Sequence, residues 1–209
     1  TLDIDSDEIN SYCKKNLLMP SSFFMTVFHA VLHRLTREDK TLIHFISNGR
    51  SELKLANFFG VFVKTLPSVC ADFKRPMAEI VKAIDEQMRS TIDRDFYPFS
   101  EMVSRHDINV NILYNYFVDL ETDVVLDNQA GSNGELNWDT AKNPLSITML
   151  SNEKGDYQCF LEYDATIYNR RDMEILGKAF KCFAENCVKD SYVDTTCVPM
   201  LTASESEAI

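Results

Sequence analysis

The sequence predicts a mixed β-sheet covered by helices, in an α/β or two-layer α+β arrangement. Helical segments alternate with single strands along most of the chain, and a β-hairpin then precedes the last helix. One helix is apolar around nearly its whole circumference, which indicates burial against a sheet. The 209 residues contain no internal repeat and are enough for one domain with a sizeable core. We therefore expect one layered domain over residues 1–190 and a linker over 191–209.

Two helices are predicted at the amino terminus from the period of the apolar residues. The first spans residues 5–17, with Asp5 as its cap and Glu8 in capping-box position. Its expected buried face consists of Ile9, Tyr12, Cys13 and Leu17. The second spans residues 20–35 and is expected to be buried on nearly every side. Its only polar stripe consists of Thr26, His29, His33 and Thr36.

The remaining elements are predicted from β-prone runs, helical periodicity and turn residues. Strands are expected at 41–47, 60–66, 110–118, 145–150 and 157–163. The second strand is expected to stop at Pro67, which cannot donate to a β-ladder. The last two strands are joined by residues 152–156, a good hairpin turn. Helices are expected at 76–92, from Pro98, and from a cap at Asn169.

The composition argues against several classes of partner and site. The formal net charge of -11 makes nucleic acid and anionic membranes poor partners. The six cysteines form no CxxC pair, which argues against zinc and disulfides and indicates a reducing, cytoplasmic compartment. No signal peptide and no apolar run near the roughly 20 residues of a membrane span are expected.

Histidines at metal-compatible spacing occur once, in the second helix. His29 and His33 lie four residues apart, but no glutamate adjoins His29 and no third ligand is evident. We interpret them as a packed or solvent-facing pair, and no metal site is predicted. The adjacent His106 and Asp107 are not predicted to form a catalytic dyad, because sequence neighbours need not bring their side chains together.

Eight segments, in order and at natural spacings, resemble motifs of one enzyme family. Residues 58–67 read FFGVFVKTLP, which resembles the IGxFVNTLP motif of the condensation domains of nonribosomal peptide synthetases. Further matches are FISNGR at 45–50, RDFYPF at 94–99, NILYNY at 111–116, NPLSI at 143–147, FLEYD at 160–164 and PMLT at 199–202. The buried helix at 22–35 with TRED after it completes the set. The resemblance implies one lobe similar to a chloramphenicol acetyltransferase subunit.

The chain also departs from the family pattern. Two histidines never stand side by side, so the HHxxxDG motif that carries the family's catalytic histidine is not in these residues. Lys64 stands where the family usually has Asn, Val69 where it has Arg, and Arg94 where it has His. The resemblance therefore implies the carboxy-terminal half of a condensation domain, with no catalytic residue of its own and no activity alone.

The resemblance implies a chemistry, a site and a set of partners. In the family an amine attacks a thioester, with donor and acceptor carried on phosphopantetheine arms of peptidyl carrier proteins, in a tunnel between two lobes. The residues expected to line this chain's wall of the tunnel are Asn48, Arg50, Lys64, Thr65, Asn115 and Tyr116. No cofactor is expected to bind directly, and the amino-terminal lobe, carrier domains and an adjacent adenylation domain are the expected partners.

Residues 119–142 form the longest predicted connection and match a segment that crosses to the other lobe in the family. Trp138 lies within it, and exposed aromatic side chains often anchor partners, so we expect it to contact the other lobe.

Other interpretations remain open. The whole chain could be a stand-alone thioester-dependent acyltransferase or a non-catalytic module that docks carrier proteins. Lys64 could lie on the outer face of a strand, Arg50 could fix a turn by pairing with an acid, and Asn115 and Tyr116 could lie at a sheet edge.

Overall fold

The fold is a mixed sheet with helices, as the sequence predicts. The computed structural model describes residues 1–50, 57–106, 108–118, 125–126, 129–130, 140–152, 154–190 and 193–201. The strands are β1 (Leu2–Ile4), β2 (Thr41–Ser47), β3 (Lys64–Cys70), β4 (Ile112–Val118), β5 (Val125–Leu126), β6 (Gln129–Ala130), β7 (Leu145–Ser151) and β8 (Tyr157–Tyr163). The helices are α1 (Ser6–Asn16), α2 (Pro20–Thr36), α3 (Met77–Asp93), α4 (Phe99–His106) and α5 (Arg170–Cys187).

Six strands form the main sheet, in the order β1-β8-β7-β4-β2-β3. β4 is parallel to both of its neighbours, β2 and β7, and the other pairs are antiparallel. The short strands β5 and β6 form a separate antiparallel pair within residues 119–142. This confirms the mixed sheet of an α+β fold, and β3 lies at one edge of it.

The two faces of the sheet have different surroundings. One face carries a row of buried residues, including Phe45, Leu66, Tyr114 and Ile147, which are paired across neighbouring strands. α2 contacts β2, α3 contacts β3 and α5 contacts β1 and β8, so this is the covered face. The alternate side chains, such as Asn115, point to the other face, because side-chain direction reverses at each residue of a strand. We call this second side the open face.

The helix α2 lies at the centre of the covered side and is buried as predicted. Phe23, Phe24 and Phe28 are fully buried, and the helix contacts α1, α3 and α5. Its predicted polar stripe does not give it a solvent-facing side, because Thr26 and His29 are also fully buried.

One residue of the buried face predicted for the first helix is exposed in the structure. Asp5 caps α1 as predicted, its side chain accepting a hydrogen bond from the backbone N–H of Asp7 at 3.3 Å. Leu17 was predicted to be buried, but it is 92% exposed. It ends the helix in the left-handed conformation, with φ 55°, so the helical period stops before it and Leu18 is buried instead.

The second predicted strand is shifted in the structure, and Pro67 does not end it. β3 runs from Lys64 to Cys70, and Pro67 pairs with His44 of β2. The backbone N–H and C=O of Val69 face away from β2 and bond the side chain of Gln87 at 2.8 and 2.9 Å. The backbone N–H groups of every second residue in a strand point to the same side. The backbone nitrogen of Pro67 therefore faces the outer edge, as that of Val69 does. Proline is tolerated there because that edge makes no ladder bond.

The last helix and the hairpin agree with the prediction. The side chain of Asn169 caps α5 by accepting from the backbone N–H of Asp172 at 2.9 Å. The predicted buried stripe of α5 is buried throughout: Met173, Leu176, Phe180, Phe183 and Cys187. None of the described helices is long and apolar enough to cross a membrane.

The segment predicted as a linker packs on the lobe over its described part, residues 193–201. Thr195 and Val198 are buried, the hydroxyl of Thr195 donates to the carbonyl of Phe73, and Arg34 donates to the carbonyl of Val198. Where the domain ends stays a prediction.

Candidate functional site

The candidate site lies at the β3 edge of the sheet, where three segments meet. They are the described parts of the connection from β2 to β3 (residues 48–50 and 57–63), the first residues of β3, and residues 94–98 between α3 and α4 together with Phe99. α3 contacts β3 from the covered side, whereas Phe99 of α4 lies edge-on to His44, whose side chain is on the open face, at 6.0 Å between ring centroids. Residues 94–98 therefore wrap around the end of the edge strand.

A tight turn after β2 begins the site. The side chain of Asn48 accepts a hydrogen bond from the backbone N–H of Arg50 at 2.9 Å. Gly49 between them has φ 64° and is buried, and a Cβ there would lie 1.8 Å from the carbonyl oxygen of Phe62. Only glycine fits this backbone conformation and this contact. The turn therefore fixes the backbone position of Arg50 just after the end of β2.

Arg50 holds the connection between β2 and β3. Its guanidinium donates to the carbonyls of Phe58 at 2.8 Å and Gly60 at 3.1 Å, and it lies 4.5 Å from the centroid of the Phe62 ring. Arg50 was predicted either to orient this loop under the tunnel or to pair with an acid. Its described contacts, two carbonyls and a cation–π contact, order the loop, and the choice between the two predicted roles stays open.

Lys64 is bound by Asp95, and no pattern in the sequence predicts that these two residues meet. Its Nζ donates to the carboxylate of Asp95 at 2.9 Å and to the carbonyl oxygen of the same residue at 2.8 Å. The side chain of Lys64 is 36% exposed and that of Asp95 is 11% exposed. This pair ties the start of β3 to the segment that wraps around it.

A cleft lies above this pair. It has a volume of about 350 Å³ and is lined by residues 63–66 and 95–99, so it includes the predicted site residue Thr65. Thr65 is half-buried and pairs with Ile46 of β2. Lys64 and Thr65 are thus brought together at one cleft, and Arg50 lies on the adjoining loop.

The two β4 residues do not share a face. Tyr116 is in register with Met149 on the covered side, where burial raises its pKa. Asn115 is on the open face, and its amide donates to the hydroxyl of Thr148 at 3.2 Å. The sheet-edge alternative is wrong for both, because β4 lies between β2 and β7. The tunnel-lining role of all six residues stays a prediction.

Two predictions fall on residues outside the described part of the chain. Trp138 is one of them, so its expected contact with another lobe stays a prediction. Asp107, the neighbour of His106, is the other.

The two histidines of α2 lie in separate hydrogen-bonding environments. His29 is fully buried, and its ring nitrogens bond the hydroxyls of Thr41 at 2.7 Å and Ser68 at 3.1 Å. Burial lowers the pKa of His29 to about 3, so the ring is neutral at pH 7. His33 instead bonds the carbonyl of Glu38 and stacks on Phe73. No cluster of metal-ligating side chains occurs among the residues that the structure describes.

Sequence reasoning missed His44 and Asp95. His44 is buried under Phe99, and its ring nitrogens have no hydrogen-bond partner of normal geometry among the described residues. Burial lowers its pKa, an effect that the backbone of Ile112 opposes. A histidine at an alternating position of an apolar strand was the available clue. Asp95 offered none, since its role depends on Lys64, 31 residues earlier.

An apolar surface adjoins the cleft. Phe58, Phe59, Val61, Val63 and Phe96 are exposed large apolar residues. We call these five residues the apolar row. Val63 and Phe96 line the cleft, and Phe58, Phe59 and Val61 precede Val63 closely in the chain. Groups of exposed apolar residues are typical of interaction surfaces.

Comparisons with known proteins identify the family. The sequence matches the Condensation domain family over residues 3–209. This chain belongs to the condensation domain family. It is 23% identical over 198 residues to a plipastatin synthase subunit of Bacillus subtilis (strain 168), covering 88% of this chain and 5% of that protein. The chain thus spans a small fraction of the curated relatives that it matches.

Solved structures show the same fold. The chain superposes on a four-domain nonribosomal peptide synthetase bound to AMP and glycine with a TM-score of 0.84 and 15% identity, covering 98% of this chain and 18% of that one. On the first condensation domain of the CDA synthetase the TM-score is 0.73 at 16% identity, covering 96% of this chain and 47% of that one. The condensation-domain fold confirms the prediction of a chloramphenicol-acetyltransferase-like lobe.

Proposed function

We propose that this condensation-domain chain acts as one lobe of a two-lobe catalyst that joins carrier-bound aminoacyl or peptidyl groups through amide bonds. The observation that carries the proposal is its match to the condensation family, with the fold covering 47% of a condensation-domain chain. In that reaction the amine nitrogen of the acceptor forms a bond to the thioester carbonyl carbon, and the C–S bond breaks. The thiol leaves, and the proton lost by the amine balances the thiolate.

The chain would contribute positioning rather than proton transfer. The charged groups at its cleft are engaged in contacts within the lobe: Lys64 binds Asp95, and Arg50 binds loop carbonyls. A wall of this kind can orient an amine and a thioester and exclude water, which supplies much of the barrier reduction in such reactions. The base or charge-stabilising group would come from the HHxxxDG segment of an amino-terminal lobe.

The proposed partners fit the surface of the lobe. The apolar row offers an area for another lobe to cover, which supports docking of the amino-terminal half beside the cleft. Carrier domains would deliver their phosphopantetheine arms to the same region, and an adenylation domain would follow in the complete protein. The net charge of -11 gives no support to a nucleic-acid partner.

Reconstitution in two pieces tests the proposal. The chain is mixed with loaded donor and acceptor carrier domains, with and without a separately produced amino-terminal lobe from a condensation domain, and amide product is measured by mass spectrometry. We expect no product from the chain alone and product when the lobe is added. Product without the added lobe would contradict the proposed division of labour.

A matched control separates assembly from chemistry. The amino-terminal lobe with its second HHxxxDG histidine replaced by alanine should bind this chain and give no product. If the unmodified lobe binds the chain and carriers bind the pair, yet no product forms, a non-catalytic docking module becomes the better description.

A further inference from the structure

The histidine of the open face lies where the helix α4 meets the sheet. His44 is 1% exposed, whereas Leu42 and Ile46, its neighbours on the same face of β2, are half-buried. The cover of this strand is thus concentrated on His44. Phe99, the first residue of α4, meets the His44 ring edge-on, with the ring planes at 89° and the centroids 6.0 Å apart. α4 therefore takes part in burying this ring.

The helix that covers His44 is weakly packed. α4 has no buried residue, and its apolar side chains are half-buried at most. The chain is anchored on both sides of it. Before α4, Asp95 pairs with Lys64 at 2.9 Å, and after it the carbonyl of Asn111 accepts a hydrogen bond from the backbone N–H of Leu145 at 3.1 Å. Segments with few buried apolar contacts open locally at a lower free energy than the whole fold. α4 can thus lift from the sheet while both anchors stay in place.

The buried ring of His44 favours the lifted state. Its nitrogens have no hydrogen-bond partner of normal geometry among the described residues, an unfavourable arrangement that contact with water would relieve. Burial lowers the pKa of the ring, and the backbone of Ile112 opposes this effect in part. The ring beneath α4 is therefore neutral at pH 7, and it binds a proton more readily once it is exposed. The state that binds more protons gains population as the pH falls.

The surroundings of His44 offer no described carboxylate that would hold a protonated ring in the closed state. Across the ladders His44 pairs with Pro67 and Leu113, and the adjacent open-face residues of β3 and β4 are also uncharged: Thr65, Val69 and Asn115. The charged or titratable side chains of α4 are those of Glu101, Arg105 and His106. Glu101 binds Arg105 at 2.6 Å, and His106 is exposed. On the neighbouring segment, the carboxylate of Asp95 binds Lys64.

We propose that α4 is a lid over the open face of the sheet that opens as the pH falls, driven by protonation of His44. Phe99 lines the cleft between residues 63–66 and 95–99, so opening of the lid removes part of one wall of that cleft. The inference does not rest on the proposed function, because each group involved belongs to this lobe. It concerns access to the cleft rather than the reaction.

Native-state hydrogen exchange of the unmodified chain measures the opening. If the exposed ring has the ordinary histidine pKa of 6.5, opening becomes about tenfold more favourable between pH 7.5 and pH 5.5. After correction for intrinsic exchange rates, the protection factors of amides in residues 102–106 should fall by about that factor. They should also lie below those of α2, which report global unfolding. Equal protection in α4 and α2, or protection in α4 that does not fall with pH, would overturn the proposal.

Matched substitutions assign the pH dependence to His44. His44→Gln keeps a polar side chain that does not titrate, so the protection of α4 should no longer depend on pH over this range. His106→Gln makes the same change at the exposed end of α4, and Glu101→Gln removes the one carboxylate of that helix. Both variants should keep the roughly tenfold fall. A fall that persists in His44→Gln, or that disappears in His106→Gln or Glu101→Gln, would overturn the role of His44.

A second measurement follows the ring itself and does not depend on the folding of His44→Gln. The imidazole NMR signals of His44 are titrated in the unmodified chain and in Phe99→Ala. Loss of the covering ring should make His44 titrate at a higher pH in Phe99→Ala, whereas His29 should stay neutral over the same range in both proteins. Identical titration of His44 in the two proteins would show that α4 is not its cover. Titration at a higher pH in the unmodified chain, as a cation–π contact with Phe99 would produce, would also overturn the proposal.

Discussion

Two buried histidines on opposite sides of the sheet show how the core differs from the site. His29 on the covered side has hydroxyl partners for both ring nitrogens, Thr41 and Ser68. His44 on the open face is as deeply buried, yet its ring nitrogens have no hydrogen-bond partner of normal geometry in the described structure. Buried polar groups in proteins are nearly always paired. The covered-side histidine is therefore satisfied within this lobe, whereas the open-face histidine beside the cleft is not satisfied by the residues that the structure describes.

The aromatic residues show the same contrast. Phe24 packs its ring against Phe23, Tyr157 and Phe180 at centroid distances of 5.2, 4.8 and 6.2 Å. Phe59 of the apolar row is fully exposed. Exposure of so large a ring has no stabilising effect on this lobe, and it supports the proposal that a partner covers it.

The largest expected effect is a difference in the free energy of unfolding between alanine variants of these two phenylalanines. Phe24→Ala should reduce the free energy of unfolding by about 3–5 kcal/mol, because it leaves a cavity at the centre of the core. Phe59→Ala should change it by less than about 0.5 kcal/mol, as expected for an exposed position. Urea denaturation of both variants measures the difference. Similar losses would show that the apolar row belongs to the core and would remove the contrast.

The elements of the covered side could be predicted from sequence because their causes are local. The stripe of α5, the cap at Asn169 and the strand β2 follow from spacing and from one capping side chain. The errors have non-local causes. The shift of β3 past Pro67 depends on its place at the sheet edge, which the sequence does not display.

The site was predictable only in part, for a similar reason. Glycine and arginine in the turn after β2 pointed to Arg50, and the resemblance pointed to Lys64. The partner of Lys64 could not be foreseen, because Asp95 reaches it only when residues 94–98 wrap around the strand end. The burial of His44 likewise depends on Phe99, which lies 55 positions later.

A second comparison concerns two glycines with positive φ. Gly49 has φ +64°, and an added Cβ would meet the carbonyl of Phe62 at 1.8 Å. Gly155 has φ +82°, but the nearest atom is the flexible side chain of Asn10 at 3.1 Å. We expect Gly49→Ala to lower the free energy of unfolding by about 1–3 kcal/mol through strain and displacement of the Arg50 loop. Gly155→Ala should have the smaller effect, about 1 kcal/mol.

Chemical denaturation of the two alanine variants, followed by NMR of the loop signals, checks this order. In Gly49→Ala the signals of residues 57–62 should move, because the Phe62 carbonyl must shift. In Gly155→Ala they should not. If Gly155→Ala is the more damaging change, the turn after β2 is not the rigid base of the site that its geometry indicates.

The last expected effect is a pH dependence of stability that distinguishes the two histidines. Burial lowers the pKa of His29 from 6.5 to about 3, so the unfolded chain binds a proton at a pH where the folded chain does not. The resulting stability is fully present above pH 6.5 and decreases as the pH falls towards 3, by at most about 1.4 kcal/mol per pH unit. The lowered pKa of His44 acts in the same direction, and the opposing effect of the Ile112 backbone makes its share smaller.

Unfolding free energies between pH 7 and pH 5, where most carboxylates remain ionised, measure this slope. His29→Gln should flatten it most, because the amide can bond a hydroxyl but does not titrate. His44→Gln should flatten it less, and the two effects should add, since the rings lie on opposite sides of the sheet. An unchanged slope in His29→Gln would mean that the core histidine is not held neutral. A larger change from His44→Gln would mean that the open face, rather than the core, dominates the acid response of this lobe.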